Sequence, residues 1–216
     1  MPKVLFLGCN NDQVPYLVAA QSLGFTVVGT DMNPRAPGAA LADRFHQVSY
    51  VDTESLLVAV RSEKWDADDR VFTAAAHLAY EGAARVADAL GIPFLEPGAV
   101  LTCLDKSRFY PFLREHGIPV PVTYPFDPVK PNIPDPRRTY FLKSDYGKSP
   151  RYCYRIDHGR VPPLPGSFDD YYRRHLLLQE EVRGTHFRIN LYADQVAVFL
   201  KCSESVAVPL RVIGPG

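Results

Sequence analysis

The chain of 216 residues lacks a charge imbalance, with 24 Lys and Arg against 24 Asp and Glu. Without a field of one sign it has nothing to draw it to nucleic acid or to an anionic membrane, and a small, neutral to anionic partner fits it better. Cysteine is scarce. The four residues Cys9, Cys103, Cys153 and Cys202 form no CxxC or metal-like spacing, which argues against a structural zinc site and for reduced thiols in a cytoplasmic setting. Long apolar runs are missing too: none approaches the roughly 18 residues of a membrane span, and the N-terminal run Met1 to Gly8 is too short for a signal peptide. A soluble, cytoplasmic protein is expected. The histidines His46, His77, His116, His158, His175 and His186 show no HxxxH or HExxH spacing, and no Ser-His-Asp or Cys-His signature stands out. There is no internal repeat and no low-complexity tract. What the chain does have is a 46% hydrophobic content, enough to bury a good core.

The first hundred residues alternate short apolar runs with helical patterns, the signature of βαβ units and a parallel sheet. Val4 to Leu7 reads as a strand, Val14 to Gln21 as a helix closed by Gly24, and Phe25 to Thr30 as a strand ending at Asp31. A third strand is expected over 47–51, then a helix capped by Asp52 or Thr53, a strand at 71–73, a helix over 79–90 closed by Gly91, and a strand at 92–94. This predicts an α/β fold with a doubly wound parallel sheet whose ligand crevice lies at the strand C-terminal ends. After Leu104 the pattern changes. A helix over 105–116 ends at Gly117, and Ser107 as its cap would place Pro111 near the first turn, where a missing N–H costs least. Proline-rich stretches at 125–136 and 161–166 read as connections. Strands are expected at 139–143, 152–156 and 176–182, a short helix capped by Ser167, and a hairpin over 187–200 turning at Ala193, Asp194 and Gln195.

Several residues have the chemistry of a site. Gly8 followed by Asp31 has the spacing of a dinucleotide fold, yet the later glycines of that fingerprint are absent, so the alternative is a plain turn and a strand end; Asn10 and Asn11 remain candidates for lining a crevice. Lys106 follows a cap residue, which sets its ammonium near the positive end of a helix. Lys143 ends an apolar strand, and a compact point charge there suits a phosphate oxygen. The connection Ser144-Asp145-Tyr146-Gly147-Lys148-Ser149 either folds over phosphates or makes a β-turn at Gly147. In Leu176-Leu177-Leu178-Gln179-Glu180-Glu181-Val182 an apolar strand ends in paired carboxylates, of which at most one faces a ligand because successive side chains alternate.

Taken in order, Asp105-Lys106-Ser107, Gly117-Ile118-Pro119-Val120-Pro121, Phe141-Leu142-Lys143 and the Glu180-Glu181 strand resemble the ATP-grasp superfamily of ATP-dependent ligases, in its carbamoyl-phosphate synthase and biotin carboxylase branch. The resemblance runs from Lys3 to about Asp194 and includes Asp31-Met32-Asn33-Pro34 and Ala42-Asp43. It implies a Rossmann-like pre-ATP-grasp domain over 1–104, an α+β ATP-grasp small subdomain over 105–182 and the start of the large subdomain over 183–216. It also implies ATP as ligand. Lys106 and Lys143 would bind phosphates, Gly147, Lys148 and Ser149 would belong to the mobile phosphate loop, and Glu180, Glu181 and Val182 would hold adenine. The loop is poorer in glycine than the family's. His186 stands where the family's G-x-E pattern places a ribose-binding glutamate.

The resemblance implies Mg2+ as well, bound through Asp or Glu and Asn on later strands. Segment 185–216 offers only Asp194 and Glu204, so no metal ligand is identifiable, and a split or truncated protein is expected, its missing half on a partner chain or a second copy. The leading expectation is a ligase joining a small-molecule carboxylate to an amine or thiol through an acyl phosphate. A non-catalytic nucleotide- or metabolite-binding module and an NAD-dependent enzyme are the alternatives. Val206 to Ile213 has no covering element after it, from which an exposed apolar face and self-association are expected.

Overall fold

The computed structural model describes residues 1–74, 78–146, 153–164, 176–185, 187–192, 195–201 and 207–213. It divides into two compact units, Met1–Gln179 and Glu180–Gly216. In the first, β1 (Lys3–Leu7), α1 (Val14–Ser22), β2 (Thr26–Asp31), β3 (Arg44–Gln47), α2 (Thr53–Val60), β4 (Arg70–Phe72) and α3 (Ala79–Leu90) follow one another. The four strands pair in parallel in the order β3-β2-β1-β4. Alternation along β1 explains the layers. Leu5 and Leu7 pack with Leu56 and Val60 of α2 and Ala83 and Val86 of α3, whereas Val4 and Phe6 pack with Leu17 of α1. The doubly wound parallel sheet is the one expected.

Local signals set most boundaries. The Asp52 carboxylate accepts from Ser55 N at 3.1 Å and caps α2, and Gly91, with φ of 68°, ends α3 in the left-handed region that glycine occupies freely. Two expectations fail. The third strand lies over 44–47, not 47–51, because β2 stops at Asp31; Val48 N to Asp31 O, 3.1 Å, is where that ladder runs out of partner. Residues 92–94 form no strand. Pro93 has no N–H to donate, and Ile92 is buried while its N–H bonds back to Ala87 O at 3.0 Å, wrapping the end of α3.

An unexpected helix follows, α4 (Pro97–Leu104), whose cap Glu96 accepts from Gly98 N at 2.8 Å and Ala99 N at 2.6 Å. Then comes α5 (Lys106–Glu115), capped by Asp105, which accepts from Ser107 N at 2.8 Å. The cap is the residue expected before Lys106, and not Ser107, the placement that would have brought Pro111 near the first turn. Pro111 therefore lies inside the helix, where it removes the bond that the Ser107 carbonyl would otherwise receive.

The second sheet has the order β5-β8-β6-β7, from β5 (Thr123–Phe126), β6 (Tyr140–Ser144), β7 (Tyr154–Ile156) and β8 (Leu176–Glu180). β5 to β8 and β6 to β7 are antiparallel, and Phe126, Tyr140, Leu142, Ile156 and Leu178 form the core between them. Pro125, expected in a connection, is part of β5, an edge strand where proline is tolerated. β8 stops at Glu180, two residues short of expectation, one step past its last pair with β5, Thr123 to Gln179. The helix expected after Ser167 lies outside the described residues. The second unit holds β9 (Phe187–Tyr192), β10 (Gln195–Lys201) and β11 (Ala207–Ile213), an antiparallel meander. The expected hairpin is its first half. No described helix is long and apolar enough to cross a membrane.

One buried carboxylate ties the first sheet together. Asp69, with no exposed surface, accepts from Lys3 N at 2.6 Å, Lys3 Nζ at 2.8 Å and Asp66 N at 2.9 Å, joining the starts of β1 and β4. Burial pushes its pKa up, but the bonds from Lys3 and Asp66 outweigh that and hold it below the usual carboxylate range; Glu63, half-buried and bonded by Arg44 and His46, behaves alike. A depressed folded-state pKa gives stability that is complete above the unfolded value of about 4 and lost as pH falls through the folded one. Asp69→Ala is expected to cost about 2–4 kcal/mol at pH 7, measured by urea unfolding, with the difference from wild type shrinking below about pH 4; an unchanged midpoint at pH 7 would contradict this role. Pro111→Ala should raise stability by about 1 kcal/mol or more, read as a higher thermal midpoint, and a fall would show that the ring packs usefully.

Candidate functional site

Two lysines far apart in sequence meet where α5 begins and β6 ends. Lys106 is the first residue of α5, and its backbone N–H, one of the donors a helix start leaves without an internal partner, bonds to Asp145 O at 2.7 Å. Its Nζ reaches the same oxygen at 3.4 Å. Asp105 and Tyr146 form an antiparallel bridge beside this bond. Lys143 lies two residues before Asp145 on β6, on the half-buried face that alternates with buried Tyr140, Leu142 and Ser144. Burial lowers the pKa of Lys106 and the neighbouring Lys143 charge lowers it further; Asp145 and Asp105 pull it back only in part. Like charges held together in a half-buried place, at a helix N-terminus, are an arrangement whose repulsion an anion would relieve.

Of the residues singled out from sequence, the first unit therefore brings together Lys106 and Lys143. Glu180 ends β8 half-buried; Glu181, also half-buried, accepts from Arg183 Nε at 2.9 Å, and Val182 is exposed. Gly147, Lys148, Ser149 and His186 lie outside the described residues. Reading the sequence missed Thr123 and Glu81, and it named Gln179, Asp145 and Tyr146 only as parts of longer runs, with no role of their own. The Lys143 ammonium donates to Gln179 Oε1, and buried Tyr146 donates its hydroxyl to Glu81 Oε2. Gln179 had a signal, a polar side chain among leucines in a buried strand. Tyr146 and Glu81 had none, since nothing local pairs residues 65 apart.

The N-terminal crevice is built differently. Gly8 has φ of 98°, and a Cβ there would lie 2.2 Å from Gln13 Nε2. Gln13 is fully buried, donates to Leu7 O at 2.9 Å and accepts from Ala74 N at 3.3 Å. Its amide fills the space that a side chain at position 8 would need. Asp31 accepts from Cys9 N at 2.8 Å and Asn33 N at 2.9 Å, so its carboxylate fastens two turns. Beside it, burial first and the Asp31 charge second push the Cys9 thiol up to about 12. Asn10 and Asn11 are exposed at the mouth.

No protein-family model matches the chain. Over 64 residues, 30% of the chain and 16% of the relative, it is 33% identical to the formate-dependent phosphoribosylglycinamide formyltransferase of Shewanella frigidimarina. Among solved structures, L-amino acid ligase from Bacillus licheniformis superposes with a TM-score of 0.68 at 19% identity, over 97% of this chain and 55% of the ligase. N5-carboxyaminoimidazole synthetase from Staphylococcus aureus, complexed with ADP, gives 0.61 at 11% identity over 100% of this chain and 71% of the synthetase. These neighbours, a biotin carboxylase domain among them, are ATP-grasp enzymes. The chain has an ATP-grasp fold. It spans just over half the length of the ligase.

Within this ATP-grasp frame the lysine pair carries a cost. A lysine whose folded-state pKa is lowered binds fewer protons folded than unfolded, so stability rises with pH between the two values, and below the folded value the penalty is fully present. Lys106→Met keeps the stem and removes the charge. Its thermal midpoint at pH 7 should equal or exceed that of wild type, and a loss above about 1 kcal/mol would show that the ammonium stabilises the ligand-free fold.

Proposed function

We propose that the chain binds ATP, with Lys106 and Lys143 holding its phosphates, and that it serves ligase chemistry in which a small carboxylate is joined to an amine or thiol through an acyl phosphate. The observation that carries this reading is the convergence of two repelling ammonium groups at the start of α5. A polyphosphate relieves that repulsion and accepts hydrogen bonds from both. The ATP-grasp fold supports the reading, as does the ADP in the Staphylococcus aureus synthetase. ATP supplies the phosphoryl group that turns a carboxylate oxygen into a leaving group. The lysines would neutralise charge on the phosphates and orient them. Hard cations need several oxygen ligands, and among the described residues no three His, Cys, Asp or Glu side chains gather where an ion could sit.

Calorimetric titration tests the binding half. Wild type should bind ATP and not NAD, and Lys106→Met and Lys143→Met should each weaken ATP by about 10- to 100-fold, the loss of a hydrogen bond to a charged group. ATP binding indifferent to both substitutions overturns the site. Release of ADP that depends on an added carboxylate supports the ligase half, whereas tight ATP binding without it favours a nucleotide-binding module.

A further inference from the structure

Gln179 is 7% exposed, a carboxamide in a strand whose preceding residues Leu177 and Leu178 are buried. A buried amide needs partners at both ends, and these partners are ordered. Its Oε1 accepts from Lys143 Nζ, its Nε2 donates to Thr123 Oγ1 at 3.2 Å, and the Thr123 hydroxyl donates to the Pro121 carbonyl at 3.0 Å. An ammonium has donors only, so it must take Oε1, which sends the NH2 to Thr123. The single hydroxyl proton of Thr123 goes to Pro121, leaving its oxygen free to accept. Only one orientation of the chain Pro121, Thr123, Gln179, Lys143 satisfies every group. Thr123 and Gln179 also face each other in register across β5 and β8, so the backbone sets their separation.

We propose that Gln179 is a positioning residue: fixed by Thr123, it aims the Lys143 ammonium at the anion shared with Lys106 and, being neutral, leaves the charge of that lysine uncancelled. A carboxylate at the same place would make the same bond and remove the charge from service. The anion belongs to the nucleotide reading above, on which this inference rests; the aim of Lys143 is a property of the chain alone.

Two measurements on the full chain separate these. The first is competitive acetylation without ligand, read by mass spectrometry, with exposed Lys130 as internal reference. Losing the acceptor frees Nζ, so Lys143 should become several-fold more reactive in Gln179→Leu and shift the same way in Thr123→Val. Unchanged reactivity in both overturns the inference whatever the nucleotide does. Should Gln179→Leu fail to fold, the nearly isosteric Gln179→Glu serves, with Lys143 expected to become less reactive.

The second is calorimetry with tripolyphosphate and, separately, adenosine. Gln179→Glu should weaken tripolyphosphate by about tenfold or more and Gln179→Leu by less, with adenosine affinity unchanged in both. Weakened adenosine with unchanged tripolyphosphate would make Gln179 a reader of the base and overturn its role toward Lys143. Wild type that ignores tripolyphosphate overturns the nucleotide reading and the anion half of this one, while acetylation still decides whether Gln179 holds Lys143.

Discussion

The bond from Lys106 N to Asp145 O, 2.7 Å long and flanked by the Asp105 to Tyr146 bridge, is the joint on which the site depends. It gives the first N–H of α5 its partner and in the same act sets the helix start against the end of β6. Once that is done, Lys106 and Lys143 have to be neighbours, because one is the residue that makes the bond and the other lies two residues from its acceptor. Tyr146 extends the joint. Its ring is buried with Ala84, Val100 and Leu104, and its hydroxyl reaches Glu81 of α3. Arg85 holds the other oxygen of Glu81 through Nε at 3.1 Å and Nη2 at 3.0 Å. A helix of the first sheet thereby braces the end of β6, which carries Lys143 and faces Lys106 at the start of α5.

Such an arrangement has consequences in both directions. Ordering two long cationic side chains near each other costs entropy and Coulomb energy, which the fold has to offset with Asp145, Asp105 and the Gln179 amide. A ligand that brings negative charge and fits this geometry would lose little in organising it. The surroundings share the tasks unequally. Asp105 is committed to capping α5 and pairs with Arg108 at 3.5 Å, so its charge is partly spent locally. Gln179 orients without neutralising.

How far the sequence is legible follows from how local each cause is. Asp52, Gly24 and Gly91 act within one turn of themselves, and the helices they bound fall where periodicity puts them. Pro93 and Pro125 mislead in opposite ways, because a missing N–H matters only where a neighbouring strand would receive it: 92–94 looked extended and is not a strand, while β5 tolerates its proline at the sheet edge. α4 had a readable start in Glu96-Pro97, since proline fits the first helical position and a carboxylate fits its cap. Lys106 and Lys143 were legible as candidates because a cap and a strand end are local features. Their meeting was not, for it depends on a bridge between residues 105 and 146.

The same logic favours the second sheet over the first for the phosphates of the proposed nucleotide. An open parallel sheet offers its crevice at the strand C-terminal ends, and β1, β2 and the turn after Gly8 build one here. Polyphosphate binding at such a turn requires backbone N–H groups free to point at the anion and space for it to approach. The Gln13 amide packs against Gly8, and Asp31 already accepts from the Cys9 and Asn33 N–H groups. A carboxylate so close would repel a phosphate as well. The exposed amides of Asn10 and Asn11 are neutral donors and acceptors, suited to a small polar molecule, whereas the positive charge needed by a triphosphate is concentrated where α5 meets β6.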